Sequence, residues 1–150
     1  MPSFSGTFHP DVGPLIEVAI VPFTESKGSK NAKKNNDVQL FKALIDTGAT
    51  STCLSGTVID ALDLKPVGQT PVIGVTGRKI VNQFVFSVGF FQPQRQHSDG
   101  RLDGRFAWFP IRGLQFDQES TATYQVLLGR DILCKGVFSM SFDGHWLFSF

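Results

Sequence analysis

An apolar, strand-forming run, Ala43-Leu44-Ile45, ends in the acid Asp46, and Thr47-Gly48-Ala49-Thr50-Ser51 then turns the chain sharply. A carboxylate at the buried end of a strand is costly unless it is hydrogen-bonded or used, which makes Asp46 a candidate catalytic group. Thr47 can direct its hydroxyl to backbone groups across the turn, and Gly48, with no Cβ, lets main chain come close to a ligand. These are the properties needed to hold a carboxylate rigidly beside a substrate. Asp-Thr-Gly alone arises by chance in roughly one chain of this length in thirty, so its surroundings decide its meaning.

Those surroundings include a second segment, Val126-Leu127-Leu128-Gly129-Arg130-Asp131-Ile132-Leu133, an apolar strand that ends at a glycine and enters a helical turn. Together the two segments resemble the retropepsin-like aspartic proteases, the retroviral type and its cellular and bacterial relatives. In that family an apolar strand ending in Asp-Thr-Gly-Ala or Asp-Thr-Gly-Ser supplies the catalytic acid, and an apolar-apolar-Gly-Arg-Asp/Asn segment packs behind it. The order also matches: strand, Asp-Thr-Gly, short helix, glycine-bearing hairpin, Gly-Arg-Asp segment. The resemblance covers about residues 14 to 150.

The resemblance implies roles residue by residue. Asp46 is similar to the catalytic aspartate, Thr47 to the threonine that grips the partner chain across the dimer axis, and Gly48 to the residue whose backbone meets substrate. Ala49 stands where pepsin-like enzymes carry Ser or Thr, which implies a less acidic optimum. The hairpin Val72 to Val81, with Gly74, Val75, Thr76 and Gly77 at its tip, resembles the flap that folds over bound peptide. Gly129, Arg130 and Asp131 match the motif that braces the active-site loops. One departure matters: retroviral enzymes place an acid four residues after the catalytic Asp, facing that Arg, whereas this chain has Thr50, so its bracing must differ.

Activating water in this way needs two carboxylates sharing one proton, one accepting the water proton and the other donating to the carbonyl oxygen. The sequence holds one Asp-Thr-Gly, and 150 residues cannot contain two such lobes. The active unit is therefore expected to be a homodimer with Asp46 and its symmetry mate on a two-fold axis. Such a coupled pair is expected to be singly protonated at acidic to near-neutral pH.

The elements that must position these residues are those of one domain spanning residues 1–150. Apolar residues make up 41% and charged residues 18%, with 15 Phe and 15 Gly; this is too apolar for a disordered chain and too glycine-broken for a helical bundle. Strands are expected at Leu15 to Val21, Val38 to Ile45, Pro71 to Val75, Lys79 to Phe91, Phe106 to Ile111, Tyr124 to Leu128, Val137 to Phe142 and His145 to Phe150. In the second hairpin arm, Ile80, Phe84, Phe86, Val88 and Phe90 share one face. Ser55 can cap a short helix carrying Leu54, Val58 and Leu62, stopped at Lys65-Pro66, and a second helical segment follows Gly129. Thr24 to Asp37 and Gln92 to Arg105 read as exposed loops, and Asp143-Gly144 as a two-residue hairpin turn. The fold class expected is all-β, a small closed barrel or sandwich with one or two short helices.

Other chemistries find little support. A net charge of +1 gives no electrostatic reason to expect nucleic acid or an anionic membrane as partner. No apolar run is long enough to span a bilayer and no secretory leader is evident, so a cytoplasmic location is expected. Cys53 and Cys134 lack metal-ligand spacing and are expected to be buried reduced thiols. His9, His97 and His145 lie in terminal, loop-like or half-exposed segments, and no serine-hydrolase, zinc-protease or phosphate-loop pattern is present. Neither cofactor nor metal is expected. Trp108, Phe109 and the even-face phenylalanines read as core. The alternative from another class is a non-catalytic dimeric module that keeps the fold for protein binding, though such a module has no need of a dyad that repels itself.

Overall fold

The computed structural model describes residues 2–23, 38–74, 77–118 and 122–150. In chain order the elements are β1 (Ser3–Thr7), β2 (Leu15–Pro22), β3 (Leu40–Ile45), β4 (Cys53–Ser55), α1 (Gly56–Ala61), β5 (Gly68–Gly74), β6 (Gly77–Gln96), β7 (Leu102–Phe116), β8 (Val126–Leu128), α2 (Arg130–Leu133), β9 (Val137–Met140) and β10 (His145–Ser149). The class is all-β with two short helices among the described residues. The loop expected at Thr24 to Asp37 lies outside them, as do Val75 and Thr76.

The strands β2, β3, β8, β4, β7 and β6 are hydrogen-bonded in that order, and β6 returns to pair with β2 from Ala19↔Gly89 to Pro22↔Phe86. The sheet closes into a barrel, with β5 attached on the far side of β6. Side chains alternate across each strand, so Phe84, Phe86, Val88 and Phe90 of β6 point inward together with Val18 and Ile20 of β2, Phe41, Ala43 and Ile45 of β3, and Val126 and Leu128 of β8. Burying each of the larger side chains contributes about 2 kcal/mol. A second sheet, β1-β10-β9, sets Phe4 and Phe148 against Phe90.

Several expectations need correcting. Ile80 shares the even face of β6 but is 66% exposed, because that end of the strand runs beyond the barrel. Most of Gln92 to Arg105 is not a loop: the β6–β7 ladder runs on to Gln96↔Leu102, with an irregularity between Pro93 and Arg95, and only His97 to Arg101 form the turn. Gly104 permits this, since a Cβ there would lie 2.3 Å from the Gln92 carbonyl oxygen. Arg78, ahead of the strand expected from Lys79, also belongs to the ladder, opposite Ile73. At the C-terminal hairpin Ser141 N–H donates to the His145 carbonyl, which leaves the three-residue loop Phe142-Asp143-Gly144 instead of a two-residue turn. Gly144 there has φ +82°, the left-handed conformation such a loop requires.

Ser55 stands at the N-cap of α1, but its buried hydroxyl makes no capping bond. The helix ends at Ala61, before Lys65-Pro66, as Asp63 turns at φ 48°. Leu54 and Val58 are buried and Leu62 packs against the same core. Cys134 is exposed, because it follows α2 on the outward side while Ile132 and Leu133 enter the core; Cys53 is half-buried, and both thiols are free. Trp108 is 39% exposed, lying across Gly89, where a Cβ would meet its ring at 2.5 Å. Strands β1 and β4 are additional to those expected from the sequence.

Candidate active site

β3 and β8 lie side by side and parallel, Ala43 opposite Val126 and Ile45 opposite Leu128, so that both motif segments leave the barrel at one level. There the Asp46 N–H donates to the Leu128 carbonyl at 3.0 Å. The Asp46 carboxylate turns back on its own loop: Oδ1 accepts the N–H of Gly48 at 2.8 Å and of Ala49 at 3.2 Å. Two backbone donors thus fix one oxygen, while among the described residues Oδ2 has no partner. A Cβ at Gly48 would stand 3.1 Å from Oδ1, tighter than ordinary contact. Asp46 and Ala49 are half-buried, and Thr47 and Gly48 are exposed. Among the described residues the Thr47 hydroxyl makes no bond across the turn, where the Asp46 carboxylate takes the Gly48 and Ala49 amides.

Gly129, Arg130 and Asp131 interlock with residues 49–52 through both main chain and side chain. Arg130 N–H donates to the Ala49 carbonyl at 2.9 Å and Asp131 N–H to that of Thr50 at 3.3 Å. The Arg130 guanidinium Nη2 donates to Thr50 Oγ1 at 3.0 Å, so a neutral hydroxyl takes the place of an acid in this contact. The Asp131 carboxylate accepts the Thr52 N–H at 2.9 and 3.0 Å, the Thr52 hydroxyl at 2.7 Å and the Ile132 N–H at 2.9 Å. Gly129 N–H in turn donates to Thr52 Oγ1 at 3.1 Å. No side chain fits at 129, where a Cβ would be 2.5 Å from the Ser51 carbonyl carbon. Sequence reasoning passed over Thr52: in the run Thr50-Ser51-Thr52 nothing local singles it out, and only the arrival of Asp131 does.

Cys53 follows at the start of β4, its Sγ donating to the Ser51 carbonyl at 3.3 Å. Burial, reinforced by the negative charges of Asp131 and Asp46, pushes its thiol up from 9.0 to about 11. The thiol therefore stays neutral.

The β5–β6 hairpin runs in register from Gly68↔Gln83 to Gly74↔Gly77, and Gly77 has φ +111° at the turn. Ile73 near the tip is 84% exposed. Along the hairpin lies a cleft of about 370 Å³ with Cys53, Val72, Gly74, Gly77, Leu114 and Gln115 in its wall. Asp46 is not part of that wall, but its charge acts on Cys53, which is. Gly74 and Gly77 are thus brought to the cleft, whereas the 129–131 segment sits behind the Asp46 loop. Among the described residues no group of three or more His, Cys, Asp or Glu side chains forms a metal site, and no helix is long and apolar enough to cross a membrane.

No protein-family model matches this chain, and no curated protein does. Solved structures do match. A retropepsin-like aspartic protease from Rickettsia conorii superposes with a TM-score of 0.53 over 98% of this chain and 89% of its own, at 14% sequence identity. The fold is retropepsin-like. An EIAV protease complexed with the inhibitor HBY-793 aligns over 87% of this chain and 93% of its own, at 21% identity and a TM-score of 0.48. Within the retropepsin-like fold the closed barrel sets Asp46 at the mouth of β3 and gives the β5–β6 hairpin its place beside β7.

Proposed function

We propose that the protein is an aspartic endopeptidase acting as a homodimer. The observation that carries this reading is the Asp46 carboxylate itself, fixed through Oδ1 by two backbone amides, with Oδ2 free on an exposed loop. Among the described residues the acid joined to the same loop, Asp131, is not available, because its carboxylate is taken up by Thr52 and Ile132. The partner acid is then Asp46 of a second copy across a two-fold axis.

In that dimer one Asp46 carboxylate is ionised and the other protonated. The ionised one takes a proton from water as its oxygen attacks the peptide carbonyl carbon, and the protonated one gives its proton to the carbonyl oxygen. The tetrahedral species collapses as a proton passes to the amide nitrogen and the C–N bond breaks. In this reading Thr47, exposed beside Asp46, grips the other subunit, and Gly48 offers main chain to the peptide. The Val72 to Val81 hairpin, with Gly74 and Gly77 flanking its turn, closes over the substrate as a flap. Gly129, Arg130 and Asp131 hold the loop from behind.

Digestion of casein or a peptide library, with a pepstatin-type inhibitor as control, tests the reading. Wild-type protein should cleave, and Asp46→Asn, nearly isosteric but unable to exchange the proton, should lose all turnover while remaining folded. Undiminished cleavage by a pure, folded Asp46→Asn preparation removes Asp46 from the mechanism. Binding of protein partners without cleavage in any condition would favour a non-catalytic module.

A further inference from the structure

We infer that the cleft along the β5–β6 hairpin is a subsite for an uncharged primary amide, the side chain of asparagine or glutamine in an extended peptide. The inference rests on the peptidase reading only for the peptide; the amide comes from the cleft. Gln69, Asn82 and Gln115 occupy neighbouring places on β5, β6 and β7 and all three line the cleft. Gln69 Nε2 donates to Asn82 Oδ1 at 3.1 Å, and Asn82 Nδ2 donates to Gln115 Oε1 at 3.2 Å. Three amides thus form a ladder running in one direction across the strands. Such a ladder ends with unused capacity. At the β7 end, Gln115 Nε2 has no partner among the described residues, and at the β5 end Gln69 Oε1 has none.

A primary amide carries a carbonyl acceptor and two N–H donors, so it can extend the ladder at either end. A carboxylate brings only acceptors, an ammonium only donors, and an aliphatic side chain neither. The rest of the wall offers no compensation to a charged side chain. Lys79 and Asp117, both in the wall, are ion-paired with each other, and the Cys53 thiol is neutral. A charge entering the cleft would lose water without gaining a counter-ion. Val72, Val81, Leu114 and Phe116 supply the apolar surface for the methylenes of the guest side chain.

The test uses peptide binding separately from cleavage. Asp46→Asn protein is titrated by fluorescence anisotropy with labelled decapeptides identical except at one position, walked along the peptide and filled with Gln, Asn, Glu, Lys or Leu. At one register Gln or Asn should bind about tenfold more tightly than the other three, the scale of one retained hydrogen-bonded pair. In the same background, Gln115→Glu replaces the free donors with an acceptor and should turn the preference toward Lys, and Gln115→Met should flatten it; circular dichroism verifies that each variant is folded. Absence of binding, absence of an amide preference at every register, or a preference that neither Gln115 variant moves overturns the inference. Wild-type cleavage of the same panel separates the two readings. Cleavage with no amide preference overturns the subsite and leaves the peptidase standing, whereas amide-selective binding with no cleavage supports the subsite and overturns the peptidase.

Discussion

The buried Thr52 hydroxyl donates to Asp131 Oδ1 at 2.7 Å and accepts the Gly129 N–H at 3.1 Å, so a single side chain joins the two motif segments. Thr52→Val keeps the shape and removes both bonds, leaving a buried N–H unsatisfied and a carboxylate short of a donor. The expected loss is about 2 to 4 kcal/mol in urea unfolding, most of it shared with Asp131→Ala because both changes break one network. A loss under about 0.5 kcal/mol for Thr52→Val would show that the network contributes little.

Gly129 and Gly74 should respond in opposite ways to alanine. At 129 the new methyl would sit 2.5 Å from the Ser51 main chain, which must move, so Gly129→Ala is expected to destabilise by about 3 kcal/mol or more. At 74 there is nothing within 4 Å, and Gly74→Ala should leave the unfolding midpoint nearly unchanged. Thermal unfolding of the two variants side by side checks the contrast.

Thr50→Asp replaces the hydroxyl that meets Arg130 with a carboxylate. Both residues are exposed, so the resulting ion pair should change stability by no more than about 1 kcal/mol, and roughly 1 M NaCl should erase any gain. A larger, salt-insensitive change would mean that the substitution rearranges the loop.

The two thiols should separate by reactivity. Cys134 is exposed, whereas the Cys53 thiol is raised to about 11, so iodoacetamide at neutral pH should label Cys134 first and Cys53 at least about tenfold more slowly. Since the folded state binds the Cys53 proton more tightly than the unfolded chain, its contribution is fully present below pH 9 and is lost as pH rises toward 11. That loss is roughly 2 to 3 kcal/mol. In Cys53→Ser it should disappear from the pH dependence of urea unfolding over that window.

What could be read in the sequence depended on how local the cause was. The runs Leu15 to Val21 and Ala43 to Ile45 are strands by their own residue types, and Asp46 draws attention because an acid closes an apolar run. β1 escaped notice because Ser-Phe-Ser-Gly-Thr is short and half polar; its partner β10 lies at the other end of the chain. Pro93, Gly100 and Gly104 look like breakers, yet an irregularity in the ladder accommodates Pro93, and Gly104 is small because main chain crowds it. Ile80 has core spacing, but spacing does not say where the barrel stops. The Thr52 network and the Gln69-Asn82-Gln115 ladder join residues far apart in sequence, so neither leaves a local pattern.

The central claim is that one active site is shared between two chains, and subunit mixing tests it directly. Wild-type and Asp46→Asn chains are combined at fixed total protein and allowed to exchange, with exchange verified by mass-tagged subunits. If both carboxylates come from Asp46, a mixed dimer holds half a dyad and is nearly inactive. Peptidase activity should then follow the square of the wild-type fraction, leaving about one quarter of the rate at equal mixing. A linear fall, with about one half remaining, would contradict the shared site and place the second acid within the chain.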